Sequence, residues 1–372
     1  MTAGYARSAT WTALLADGVA PAADRFRQRV RRSGGEIFGG GTGDEHELVF
    51  TTFGRLAVGV DDPAGRAAAL AVLGRWFRAN HLWAGHLWVL GESLLHVLTE
   101  ANRTIWSGRI ASAWDEAFRA VSLGLLRSAR RVGDGPVRWA GEVVGHEVRA
   151  PGIAVLTVRP DRPLPYRPGQ AVPVGLPGWP GVWRWYCPAN APCPDGTVEF
   201  HVRAVGGGVL SRVLVDRVRP GQRLWLGPAA GRSLVPGRVG RRDLLLVAGG
   251  TGLAPLRAIV DQVVGSGPQG RTVTLVAGAR TVDELYDAIT LDTWQRAYDW
   301  LTVLPALSAD PEVAHPVERG TAMRVALRHE WPEHDIFVCG PAPMVRDALP
   351  RLVVAGYPLA RIHLPDQYDD VA

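Results

Sequence analysis

Apolar positions fall into three successive patterns along this chain of 372 residues. Up to about residue 130 they recur at helical spacing, through Ala67, Leu70, Val72 and Leu73, through Leu90, Leu94, Leu95 and Leu98, and through Ile110, Trp114, Ala117, Phe118 and Val121. Asp61-Asp62-Pro63 predicts a helix start, and Gly39-Gly40-Gly41 a loop. From Trp139 the period shortens to two. Residues 139–144 and 154–158 alternate, and six further short candidates, each punctuated by Pro or Gly, run to about residue 235, which predicts a small antiparallel barrel. Beyond that the apolar runs become continuous. Residues 244–248, 273–277 and 336–339 each end in glycine, as buried parallel strands do, and residues 256–264 predict the helix after the first of them.

The glycines at those strand ends carry the first chemical suggestion. Gly249-Gly250-Thr251-Gly252 joins a strand to a helix, a place where a residue without Cβ allows both a tight turn and close approach of a phosphate to backbone amides. It departs from the G-x-G-x-x-G fingerprint, so its weight comes from the equivalent turns at Gly278-Ala279-Arg280 and Cys339-Gly340-Pro341. Three strand ends of this kind predict one crevice at the carboxyl edge of a parallel sheet, where nucleotides bind.

Upstream stands a second set: Tyr166-Arg167-Pro168-Gly169-Gln170, then Arg184-Trp185-Tyr186-Cys187, then Gly208-Val209-Leu210-Ser211. In this order the two sets resemble the ferredoxin-reductase-like superfamily, flavin domain first and NAD(P)H domain second. The resemblance implies FAD and NAD(P)H as cofactors. It places Arg184 on a flavin phosphate, Trp185 and Tyr186 along the flavin, and Cys187 beside its reactive nitrogen, where the family has serine or threonine. Gly208, Val209, Leu210 and Ser211 would hold the flavin pyrophosphate. Gly250, Thr251 and Gly252 would line the NAD(P)H pyrophosphate, with Arg280 and Glu284 at the adenosine end and Cys339, Gly340 and Pro341 around the nicotinamide. Asp366-Gln367-Tyr368 resembles the family's acidic-x-aromatic tail, with Tyr368 shielding the flavin. Tyr186, Cys187, Cys339 and Tyr368 are thus the residues expected next to the chemistry.

The helical segment resembles the globin domain of flavohemoglobins, through residues 43–50, Leu73-Gly74-Arg75, residues 89–95 and residues 113–118. The implied architecture is a globin-like all-α domain (1–131), an antiparallel β-barrel flavin domain (132–238) and an α/β parallel-sheet nucleotide domain (239–372). The haem ligands do not follow. The family's iron-binding histidine falls on Phe77, its supporting tyrosine on Leu87 and the glutamate of that triad near Arg131. The distal glutamine and tyrosine fall on Glu45 and Arg27, while Phe38 is kept. Phenylalanine has no lone pair for iron, so an empty haem seat is expected, with no metal. A shifted register would instead put His81, or His86, on the iron. The tryptophans at 76, 83, 88, 106 and 114 either fill the space a porphyrin would take or belong to the ordinary core.

Composition narrows the partners. All 41 basic side chains are arginine, a bias of codon usage rather than of function. The net charge of +5 is scattered, and its densest run, residues 127–138, lies at a boundary, where residues 127–136 read as a solvated linker ending in Gly133-Asp134-Gly135-Pro136, so no nucleic-acid partner is expected. Cys187, Cys193 and Cys339 make no metal pattern, and no long uncharged apolar run or signal sequence is present, so a cytoplasmic protein without membrane contact is expected. The expected activity is electron transfer from NAD(P)H through FAD to an unidentified acceptor. The rivals are nitric oxide dioxygenation at a haem in the same chain, and a haem-free helical domain that serves as a sensory or docking module.

Overall fold

A computed structural model of the protein describes residues 2–34, 37–38, 45–59, 62–237, 242–310 and 319–366. Six helices come first: α1 (Ala3–Leu14), α2 (Val19–Gly34), α3 (Glu45–Val58), α4 (Pro63–Ala79), α5 (Ala84–Ala101) and α6 (Gly108–Arg131). Asp62 caps α4 by accepting the Gly65 amide at 2.6 Å, with Pro63 at the first helical position, as the Asp-Asp-Pro signal predicts. Aromatic rings fill the bundle. Trp11 lies 5.0 Å from Phe50, and Phe50 lies 5.4 Å from Phe26. Trp114, fully buried, donates its indole N–H to Thr10 at 2.9 Å.

Two expectations change here. The arginine-rich run is not a linker from its start, because α6 continues through Arg131 and only the residues after it connect to the barrel. His81 does not share a helix face with Phe77. Helix α4 ends at Ala79, and His81 lies beyond the cap with φ 52°, exposed to solvent.

Strands β1 (Trp139–Ala150), β2 (Ile153–Pro160), β3 (Val172–Gly175), β4 (Trp183–Tyr186), β5 (Val198–Arg203) and β6 (Arg223–Leu226) form an antiparallel sheet in the order β4-β3-β6-β1-β2-β5. A bridge from Pro188, just past β4, to Phe200 in β5 brings the two edges together into a barrel. Among the described residues four strands, not six, follow the first two; the Pro- and Gly-rich remainder forms turns. Helix α7 (Val209–Asp216) closes one end, with Leu210 and Leu214 in the barrel core.

The last sheet is parallel, in the order β11-β10-β7-β8-β9, from β7 (Asp243–Gly249), β8 (Val273–Ala279), β9 (Leu301–Leu307), β10 (His334–Cys339) and β11 (Ile362–His363). Helices α8 (Leu253–Ser266) and α9 (Ala288–Ala297) cover one face, and α10 (Ala322–Ala326) and α11 (Ala342–Val354) the other. The chain lays β8 and β9 on one side of β7, then returns to place β10 on its other side. The strand order therefore reverses between β7 and β10, the point where such sheets open a ligand crevice.

The helical region and the barrel share a core. Trp183 in β4 is 2% exposed and belongs to the helical cluster, with Trp185 and Trp225 packed against it. No helix among the described residues is long and apolar enough to cross a membrane.

Candidate active site

A cavity of about 1220 Å³ lies where the carboxyl ends of β7 and β10 face the barrel. Its floor requires glycine. A Cβ on Gly252 would stand 2.4 Å from the Cys339 carbonyl oxygen, a backbone atom that cannot step aside, so the turns after β7 and β10 touch through bare backbone. Gly250, Thr251, Gly252, Cys339, Gly340 and Pro341, widely separated in sequence, line this one space.

From the barrel, β4 contributes Arg184, Trp185 and Tyr186, with Cys187 just past its end, all on the same cavity. Burial pushes the Tyr186 hydroxyl above its ordinary value, against the opposing charge of Arg184, and pushes the Cys187 thiol up to about 12. Burial raises Cys339 as well, with Cys187 adding to the effect. Two neutral thiols therefore border the cavity from opposite sides, one on each sheet. Arg184 donates to the Trp183 carbonyl at 2.8 Å and approaches Asp62 of the helical region at 3.4 Å, so the start of α4 forms part of the rim.

Val205, Gly208 and Ser211 build a compact turn: the Val205 amide donates to Ser211 Oγ at 3.3 Å, and Ser211 Oγ donates to the Gly208 carbonyl at 3.2 Å. Gly208 offers no side-chain cap, which leaves the first amides of α7 facing the cavity. The Leu210 side chain points into the barrel core, so only its backbone faces the cavity. Arginine fork, aromatic strand and uncapped helix start fit a flavin dinucleotide.

At the far end Arg280 Nε donates to Glu284 at 2.9 Å, and Arg203 of β5 stands 3.8 Å from the other carboxylate oxygen. The Arg280 bond holds the Glu284 carboxyl below its ordinary value. Asp366 accepts from the Arg232 amide at 2.7 Å and from Ser233 Oγ at 2.5 Å. Gln367 and Tyr368 lie outside the described residues.

Sequence reasoning missed a buried polar network beside the cavity. The Glu199 carboxylate accepts from His201 Nε2 at 2.8 Å and pairs with Arg257 at 2.9 Å; His201 Nδ1 meets the Tyr286 hydroxyl at 2.8 Å. Asp287, 2% exposed, pairs with Arg257 at 2.9 Å and Arg149 at 2.6 Å. These residues come from β1, β5, α8 and the segment before α9, so the network pins barrel to parallel sheet. Its one sequence signal was the polar alternation of Glu199, His201 and Arg203 along a strand.

Among the described residues, the helical region presents no side chain set to ligate an iron porphyrin. Phe77 is 4% exposed, and Trp76, fully buried, packs 5.8 Å from Phe38. Each imidazole already has a partner or faces solvent. His46 contacts Asp24 at 3.2 Å, His86 accepts the Trp83 amide at 3.1 Å, His96 contacts Glu100 at 3.5 Å, and His81 is exposed. Arg27 likewise pairs with Asp24 at 3.0 Å. Trp76 and Trp114 occupy the interior, whereas Trp83 and Trp88 are 66% and 67% exposed and fill no cofactor space. No cluster of metal-ligating side chains occurs among the described residues.

Comparison with known proteins agrees with the two sheets. Residues 141–233 match the oxidoreductase FAD-binding domain and residues 246–349 the oxidoreductase NAD-binding domain. The chain is 33% identical over 231 residues to a ferredoxin–NAD(P)(+) reductase of Metapseudomonas resinovorans, covering 61% of this chain and 68% of that protein. It is 30% identical over 209 residues to the reductase component of phenol 2-monooxygenase from a Pseudomonas species, covering 55% and 58%. Among solved structures, the ferredoxin reductase in carbazole 1,9a-dioxygenase superposes with TM-score 0.56 at 29% identity, over 61% of this chain and 68% of that one. A flavohemoglobin from Malassezia yamatoensis superposes with TM-score 0.56 over 97% of both chains at 14% identity, a likeness of fold alone. The chain spans 58% and 68% of the two curated relatives' own lengths.

Proposed function

The chain belongs to the ferredoxin-reductase-type, NAD(P)H-dependent FAD oxidoreductases, and on that premise we propose that it delivers electrons to a separate oxygenase component. The single observation that carries the NAD(P)H-to-FAD part of this reading is the cavity between β4 and the β7/β10 turns, which brings the Arg184-to-Cys187 stretch against the glycine turns of the parallel sheet. Bound FAD supplies a centre that takes a hydride and releases electrons singly or in pairs. Arg184 and the amides at the start of α7 anchor the flavin phosphates. Trp185 and Tyr186 lie along the flavin, and Cys187 presents a neutral thiol to it. Gly250, Thr251 and Gly252 hold the nicotinamide nucleotide, while Cys339, Gly340 and Pro341 shape the slot for its ring. The domains divide at residues 131 and 238.

The acceptor is proposed from the relatives' own names, reductase components of oxygenases. The helical region is proposed as a globin-like fold without iron, a docking module rather than a second redox centre. Whole-chain likeness to a flavohemoglobin favours that fold, and it also supports a second reading, nitric oxide dioxygenation, which the side chains around Phe77 oppose. One experiment separates them. Purified protein supplied with FAD and haemin is expected to show flavin absorbance that bleaches with NAD(P)H under anaerobic conditions, and no Soret band. A stable Soret band lost on His46→Ala or His81→Ala would restore the dioxygenase, and protein that takes up no flavin would end both readings.

A further inference from the structure

Glycine in the first turn of a helix is a poor choice unless something needs the missing Cβ, because alanine favours the helix in its place. Helix α4 nevertheless has Gly65 as its third residue, buried and without left-handed backbone, so its dihedral angles give no reason for it. The reason lies on the barrel. A Cβ on Gly65 would overlap Nη1 of Arg184 and stand 2.6 Å from its Cζ and 3.2 Å from Nη2, so the guanidinium rests against the bare Cα. The Trp183 carbonyl accepts from Nη1 at 2.8 Å, and Pro63 and Ala64, just before Gly65, line the same cavity as Arg184. Helix α4 is held in place further along. A Cβ on Gly227, just past β6, would stand 2.9 Å from Val72 of α4, and near the other end of the helix Arg75 donates to the Asp134 carbonyl at 2.8 Å.

We infer that the helical region completes the flavin site, with Gly65 as the positioning residue that seats Arg184 at the cavity. The inference rests on the proposal that Arg184 anchors a flavin phosphate. A guanidinium fork binds phosphate through paired, directional N–H bonds, so its orientation counts as well as its charge. Asp62, 3.4 Å from Nη2, competes with phosphate for that charge, so what α4 adds to binding is shape. A methyl on Gly65 would displace the tip of a flexible side chain rather than backbone, so the loss falls on the ligand and not on the fold.

The test uses full-length protein freed of flavin, titrated with FAD by quenching of flavin fluorescence and melted without it. Gly65→Ala is expected to bind FAD at least about fivefold more weakly while melting at or above the native temperature, opposite signs that a general loosening of the structure does not give. Arg184→Ala is expected to weaken FAD binding as well, and Gly65→Ala added to it to change affinity by less than about twofold, because the two act through one side chain. Native affinity in Gly65→Ala beside a weakened Arg184→Ala, a lower melting temperature in Gly65→Ala, or an undiminished further loss in the double variant would each overturn the inference and leave Arg184 on the flavin. An Arg184→Ala protein with native affinity would overturn the phosphate anchor as well.

Discussion

Cys187 separates this site from one built with a hydroxyl. Burial pushes its thiol up to about 12, so it stays protonated across the working range and donates only a weak hydrogen bond. Cys187→Ser is expected to speed flavin reduction about fivefold, the rate equivalent of about 1 kcal/mol in one hydrogen bond, as stopped-flow bleaching of the flavin would register. The native rate should also show no inflection from this group between about pH 6 and pH 10. Asp62 offers a second check. Asn at this position keeps the helix cap but removes the charge beside Arg184, so Asp62→Asn is expected to tighten FAD binding about two- to fivefold, measured by quenching of flavin fluorescence. Arg184 was legible in the sequence because it stands in a motif, whereas its partner lies 122 positions upstream, and nothing in a linear pattern joins the two. The same holds for His201 and Tyr286, 85 positions apart. His81 misled for a different reason: periodicity does not reveal that α4 stops at Ala79 and turns left-handed two residues later.

Strands and turns of the parallel sheet were the most legible elements, because a buried strand has to be a continuous apolar run and a backbone contact has to be glycine. Gly252 is the sharpest instance. Gly252→Ala places a methyl against the Cys339 carbonyl and is expected to cost about 1–3 kcal/mol, seen as a lower Tm, with weaker binding of both nucleotides. Barrel strands were over-counted because Pro- and Gly-punctuated apolar pairs look alike whether they pair in a sheet or turn outside it. Between barrel and sheet, the Glu199 network sets an acid limit. Burial alone would raise the Glu199 carboxyl, but the His201 bond and the Arg257 and Arg149 charges outweigh it and hold it below 4.5. A depressed carboxylate contributes stability that is complete above its ordinary value and lost as pH falls through the lowered one. Thermal melts are therefore expected to fall more steeply below about pH 4.5 in the native protein than in Glu199→Gln.

Across the molecule, the chain superposes on a flavohemoglobin over its whole length, a likeness of fold alone, and Trp76, Phe77 and Phe38 pack in the core of the helical region. Trp76→Ala is expected to cost about 3–5 kcal/mol in a urea melt, the loss typical of an emptied aromatic core position. The sequence suggested an empty haem seat from Phe77, Leu87 and Arg131 together; which tryptophans are buried was hidden, since Trp83 and Trp88 share a helical period with buried neighbours yet face solvent. The tryptophan seam at Trp183, Trp185 and Trp225 has a practical corollary. Anyone trimming the chain to its catalytic two thirds would leave a greasy scar where α4 had lain, and should expect clumping in the test tube unless those indoles are replaced. Because those indoles belong to the same core as the helices, moving the front third away to ferry charge would mean exposing them to water, which favours an acceptor that comes to the assembled chain.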